Sequence, residues 1–150
     1  MIESSSITSE ILSLIEDWEP KLIPLSDEII TRRLNNQNRP VKQILGHLID
    51  STSNNSHRIV HLQYQPSPLI YPNYATFGNN DHWISKQDYQ NEVWTTMIQL
   101  WKYSLLRFCH IINTVYDDKL NNEWVCLRTS AGIIGYIRQS RRDLPGPSYL

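Results

Sequence analysis

His47, Asp50, Asn54, His57 or Arg58, and His61 recur at spacings that place them in one stripe of an α-helix. These are residue types that do chemistry. A neutral imidazole and a carboxylate one turn apart can serve as ligands of one metal ion, while an amide and a guanidinium beside them can orient water or a substrate. The stripe rises about 1.5 Å per residue, so its members cannot all meet at one centre. His57 and His61 have the four-residue spacing of many helical metal pairs, yet they stand two or more turns from His47. From the residues alone, a solvated hydrophilic face remains the alternative reading.

The helix that must carry this stripe is predicted over about 40–63. Pro40 can open it where a missing backbone donor costs little. Val41, Ile44, Leu45, Leu48, Ile49, Ile59 and Leu62 cluster on one side and are expected in the core. Gly46 is out of place there, because glycine inside a helix costs about 1 kcal/mol relative to alanine, and close backbone packing is the expected reason.

Upstream, Ile7, Ile11, Leu12, Leu14 and Ile15 predict a first helix that Ser5 or Ser6 can cap and that Pro20 and Pro24 interrupt or kink. Ser26-Asp27-Glu28 reads as a fresh helix start running to about Leu34, and the run Asn35 to Asn38 ends it. Residues 64–84, rich in Pro, Tyr, Asn and Gly, predict a long structured loop packed by Tyr71, Tyr74, Phe77 and Trp83. Ser85 and Asp88 resemble a capping box for the next helix. Along it Trp94, Ile98, Trp101, Leu105, Phe108, Ile112 and Val115 form a bundle seam, whose aromatics read as core rather than cofactor contacts. Glu123 to Cys126 is apolar enough to pack across one end of a bundle. Residues 131–137 suggest a short helix, and 138–150 a frayed tail.

Composition narrows the partners. With 150 residues, the chain fits a single domain, 1–150, able to bury a core without staples. It is 40% hydrophobic and 19% charged with a net charge of −1, which excludes a disordered chain and a strongly basic nucleic-acid binder. Arg138, Arg141 and Arg142 beside Asp143 read as a solvated tail, so no nucleic-acid partner is expected. Cys109 and Cys126 form no C-x-x-C pair, which favours a reduced, cytoplasmic protein. No window approaches the roughly 20 apolar residues of a membrane span, and the start lacks a basic, then apolar leader, so no membrane partner is expected either.

The run Ile44-Leu-Gly-His-Leu-Ile-Asp-Ser-Thr-Ser-Asn-Asn55, with Arg58 and Gln63, resembles the second helix of the DinB-like family of metal-dependent enzymes. So does the later order Tyr71-Pro72, Trp83-Ile84, Gln87-Asp-Tyr89, Trp94 and Leu100-Trp101, and the likeness extends over about residues 10–124. It implies an all-α, four-helix bundle holding a divalent metal, zinc or nickel, through three histidines. His47 matches the second-helix ligand, with Asp50, Asn54 and Arg58 as neighbours that orient substrate or water. The family's other two ligands form an H-x-x-x-H pair on the fourth helix, and beyond Cys126 this chain has no histidine. His82 and His110 match no family ligand position, although the long loop could bring His82 toward the bundle mouth.

The expectation is therefore a DinB-like bundle with a long loop between its second and third helices, a short or atypical fourth helix, and a family-type metal site left incomplete, its divalent ion absent or weakly held. Two functions follow. One is a metal-dependent hydrolase or transferase of a small-molecule substrate; the other is a non-catalytic bundle that self-associates as a homodimer or binds a partner, covering the aliphatic surface that a weak fourth helix leaves open.

Overall fold

The computed structural model describes residues 4–32, 34–36, 38–70, 79–126 and 129–132. Three long helices dominate: α1 (Ser4–Leu22), α3 (Val41–Tyr64) and α5 (Trp94–Asn113). Two short ones, α2 (Asp27–Arg32) and α4 (Asn79–Gln87), lie between them in sequence. Strands β1 (Leu69–Ile70), β2 (Glu123–Cys126) and β3 (Thr129–Gly132) form a small sheet in which β2 runs parallel to β1 and antiparallel to β3.

The first helix buries Ile7, Ile11, Ile15 and Leu22 at helical spacing, while Leu12 faces out. Pro20 does not interrupt it: the helix runs one half-turn past the proline, giving up the amide bond to the Glu16 carbonyl, and ends at Leu22 ahead of Pro24. Ser26 accepts a hydrogen bond at Oγ from the Ile29 amide, so the expected cap of α2 is present. That helix stops at Arg32, short of Leu34, because Leu34 instead bridges to Pro40 across a turn. Asn38 takes a left-handed φ of 61° there, a conformation asparagine tolerates better than most residues.

The third helix matches its predicted span closely, with Pro40 as the residue immediately before it. The fifth carries the expected seam: Trp94, Ile98, Trp101, Leu105, Phe108 and Ile112 are buried, and Val115 packs against them. Its start differs from expectation. Ser85 lies inside α4, and Asp88 ends that helix in a left-handed turn with φ 53°, where both its carboxylate oxygens accept from Asn91 at 2.9 Å. A 3-10 turn, Tyr89–Asn91, then leads to α5 at Trp94. Short-range Ser/Asp pairing thus marks a helix end rather than a helix start.

The relative directions of the long helices follow from a few contacts. Thr8 bonds Asn113, Glu19 pairs with Lys102 at 2.7 Å, and the Trp94 indole donates to the Leu22 carbonyl at 2.9 Å, so α1 and α5 are antiparallel. Lys42 at the start of α3 donates to the Gln90 and Glu92 carbonyls just before α5, while Asn122, past the end of α5, donates to the Leu62 carbonyl. Helices α3 and α5 are therefore parallel.

The loop expected over 64–84 is regular at both ends, as β1 and α4, because backbone groups near the core need partners. Its Tyr71, Tyr74 and Phe77 lie outside the described residues. Glu123 to Cys126 caps one end of the bundle as expected, but as a strand, with Trp124 only 3% exposed. The short helix expected from 131 is not formed at its start, since Ala131 and Gly132 belong to β3; residues 133–137 and the tail 138–150 lie outside the described residues. Gly132 has little intrinsic helix preference to resist pairing with Glu123.

Candidate binding cleft

A trough of about 790 Å³ runs between α3 and α5. Its walls are two helical seams. Ile49, Ser53, Ser56 and Val60 supply one, and Met97, Leu100, Ser104, Arg107 and Ile111 the other, each at alternating three- and four-residue steps. Parallel helices keep these seams side by side along their length. Val60 is 41% and Leu100 50% exposed, so the trough has apolar lips as well as an apolar floor.

At one end stands Asp50, only 5% exposed. Its Oδ1 accepts hydrogen bonds from the Tyr89 hydroxyl at 2.7 Å and from Gln87 Nε2 at 2.6 Å. Oδ2 is buried too, and the Trp83 side chain also hydrogen-bonds this carboxylate. Burial pushes the Asp50 carboxyl above its ordinary range, opposed by the bonds from Tyr89, Trp83 and Gln87 and by the nearby His47 imidazole. Desolvation wins because the carboxylate has exchanged water for apolar walls and a few neutral donors.

Gly46 makes this arrangement possible. A Cβ built there would lie 2.6 Å from Tyr89 Cε2 and nearer still to two other ring atoms, so the tyrosine ring lies flat against helix backbone. The close packing expected at Gly46 is thus found, and its partner is the residue that holds Asp50. Lys42, buried on the preceding turn, completes the anchoring of the Tyr89–Asn91 turn by donating to the carbonyls of Gln90 at 3.0 Å and Glu92 at 2.5 Å.

The predicted stripe divides into different fates. His47 and Asp50 are close enough to interact electrostatically, with His47 half-buried. Asn54 is half-buried and outside the trough lining. Arg58 is 7% exposed, but its Nη1 donates to Asn55 Oδ1 at 2.9 Å and its guanidinium lies 5.7 Å from the Trp124 ring, so it joins α3 to the sheet rather than to Asp50. His57 and His61 line the far end of the trough with Arg107, and His61 Nδ1 is 2.7 Å from the Tyr64 hydroxyl. His82 is exposed on α4 and is not part of the lining. His110 is exposed as well, and burial pushes the thiol of its neighbour Cys109 up, away from reactivity.

Sequence spacing did not single out Tyr89, Gln87, Lys42 or Asn55 as parts of a polar network. Gly46 carried one signal, since a helix glycine marks a place where something large approaches, and Asn55, Gln87 and Tyr89 stood among the residues of the family resemblance.

The donor set does not fit the three-ligand metal centre usual for catalytic zinc. Among the described residues no group of three or more His, Cys, Asp or Glu is placed to hold an ion, and the sequence after Cys126 contains neither histidine nor cysteine. Asp50 Oδ1 is already committed to Tyr89 and Gln87.

These features define a helical bundle with a cleft between two parallel helices. The solved structure of YfiT from Bacillus subtilis, described as a probable metal-dependent hydrolase with an unusual four-helix bundle topology, matches this chain with a TM-score of 0.70. Identity is 16%, over 91% of this chain and 81% of that one, and the likeness establishes the four-helix-bundle fold. No protein-family model matches the sequence, and no curated protein matches it. No helix among the described residues is long and apolar enough to cross a membrane.

Proposed function

We propose that this chain is a DinB-like relative of metal-dependent hydrolases and transferases that binds a small organic molecule in the α3–α5 cleft without a family-type metal centre. The observation that carries this reading is the state of Asp50. It stands one turn from His47, the family's ligand position, yet it is 5% exposed and its carboxylate is tied to Tyr89 and Gln87, with Trp83 bonding it as well. YfiT's description as a metal-dependent hydrolase supports the relationship, and the residue types after Cys126 argue against the same ligand set here.

In this reading Asp50 is a buried anchor at one end of the cleft, held in place by the Tyr89 hydroxyl and the Gln87 amide. The seams of α3 and α5 exclude water from the rest of the molecule. His47 sits beside the carboxylate as a tuning group, and Asn54 and Arg58 act in shaping α3 rather than in touching the ligand. Metal analysis of the purified protein after supplementation with zinc and with nickel tests the proposal. Less than about a tenth of an equivalent is expected, given one imidazole and one engaged carboxylate; a full equivalent bound through His47, and lost in His47→Ala, would overturn it.

Self-association is a second reading, favoured by the exposed apolar lips Val60 and Leu100 with Tyr103 farther along α5. Sedimentation velocity across concentration decides it, a homodimer being expected only if these positions meet a second copy.

A further inference from the structure

We infer that two copies of this chain pair about a two-fold axis at Leu100, with their α5 helices antiparallel and Glu92 of each copy facing Arg107 of the other. This rests on the self-association reading and gives it a face, a register and a charge pair.

The α5 wall of the trough, with the residues just before it, carries Glu92, Thr96, Leu100, Ser104 and Arg107: an acid, a small polar residue, a leucine, a small polar residue and a base. Steps of three and four residues keep them on one side of the helix. Turned end for end about Leu100, this order falls on itself with the acid exchanged for the base. An isologous contact requires that property, because each residue must meet its counterpart across the axis. Glu92 lies eight positions before Leu100 and Arg107 seven after it, so the two come level in an antiparallel pair. Thr96 and Ser104 are short enough to let two helices approach. Leu100 is 50% exposed at the axis, and Val93 and Tyr103 beside it are each 62% exposed.

Charge selects the direction. Neither the Glu92 carboxylate nor the Arg107 guanidinium pairs with a described residue, and Arg107 has His57 and His61 across from it on α3. At the Glu92 end the other charged groups are buried and engaged: Lys42 on the Gln90 and Glu92 carbonyls, Asp50 on Tyr89, Gln87 and Trp83 with half-buried His47 nearby. Glu92 is therefore the exposed charge of the lining at that end. A parallel pairing would set Arg107 against Arg107, and such like-charge contacts cost more than an exposed opposite pair returns. The charges thus fix the register, while Leu100, Val93 and Tyr103 supply the apolar contact. A face two helices wide, roughly 20 Å, and about 22 Å long buries about 900 Å² over two copies, from the diameter and rise of a helix. That is below the roughly 1,600 Å² of a standard interface, so the pair is a micromolar one.

Sedimentation velocity of the intact chain over about 1–500 μM, a range that brackets such an affinity, tests the inference. A reversible monomer–dimer equilibrium is expected. Arg107→Glu and Glu92→Arg, both at exposed positions, should each weaken it roughly tenfold or more with circular dichroism unchanged. The double variant Glu92→Arg with Arg107→Glu should regain the association of the parent. Leu100→Asp, which sets two carboxylates across the axis, should stay monomeric throughout. A monomeric parent would overturn the pairing and the self-association reading together, leaving the trough to a small molecule. A dimer that Leu100→Asp leaves intact, that ignores either single charge reversal, or that the double variant does not restore would overturn the pairing while self-association stands.

Discussion

The two halves of α3 carry the same stripe of polar residues and use it in opposite ways. In the first half, the elements facing Asp50 are α4 and the Tyr89 turn, which supply two donors to one carboxylate oxygen, Gln87 and Tyr89, with Trp83 bonding the same carboxylate. In the second half, Arg58 turns inward to Asn55 and the face of Trp124, fastening the helix to the small sheet. The difference lies in the neighbours. Where the packed element brings polar side chains, a buried carboxylate is gathered into a hydrogen-bond network; where it brings an aromatic wall, the buried guanidinium becomes a brace.

The largest effect that would separate the halves is expected from Arg58→Ala. Removing a buried guanidinium strips the Asn55 bond and the Trp124 contact, at a cost of about 2–4 kcal/mol in chemical denaturation, with ligand affinity unchanged once the protein is folded. A loss below 0.5 kcal/mol, on the scale of an ordinary surface change, would remove the brace interpretation. Next comes Gly46→Ala. Its Cβ would collide with the Tyr89 ring, and the expected overpacking loss of about 1–3 kcal/mol is only partly offset by alanine's better helix preference of up to about 1 kcal/mol. The same variant should break the Tyr89–Asp50 bond through the displaced ring, a coupling absent from Arg58→Ala.

Asp50 gives a smaller effect with a characteristic pH dependence. Its carboxyl is held above the ordinary value of 3.8 by burial, so the folded state binds its proton more tightly than the unfolded state. The contribution to stability is fully present below the unfolded value and is lost as pH rises through the folded one. Asp50→Asn should therefore flatten the stability profile above pH 3.8 and leave the protein at neutral pH as stable as the parent or more so, a measurement made by urea titrations at several pH values. A variant less stable at pH 7 than at pH 3.8, relative to the parent, would contradict the assignment. The smallest effects belong to exposed groups: His57→Ala and Lys102→Ala should each leave the urea midpoint close to the parent's, since one is a surface residue and the other loses only a partly exposed pair with Glu19.

Much of the architecture is legible in residue order. The aliphatic positions of α3 and the aromatic seam of α5 declare their helices because each repeats every three or four residues over many turns, and no strand can present that pattern on one face. The weak places are short segments. Ser85 and Asp88 have the composition of a helix start but form a helix end, and Ala131 and Gly132 join a strand, because a few residues of local preference yield to the partner that packs or pairs with them. The candidate cleft was legible in part. His47 and Asp50 were marked by type and spacing, whereas Arg58, on the same stripe, could not be told apart from them by spacing.

Sequence alone determined that a helix over about residues 40–63 would carry one aliphatic face and one polar one, that a glycine on it invited close contact, and that no histidine follows Cys126 in these 150 residues. The tertiary structure decided which polar residues were buried and by what. Periodicity records which direction a side chain leaves its helix, but the burial of Asp50, its bonds to Tyr89 and Gln87, and the trough beside it depend on residues 37 or more positions away in the chain. Those distances are closed only by packing, which is why the site's chemistry resides in the fold and its candidates in the sequence.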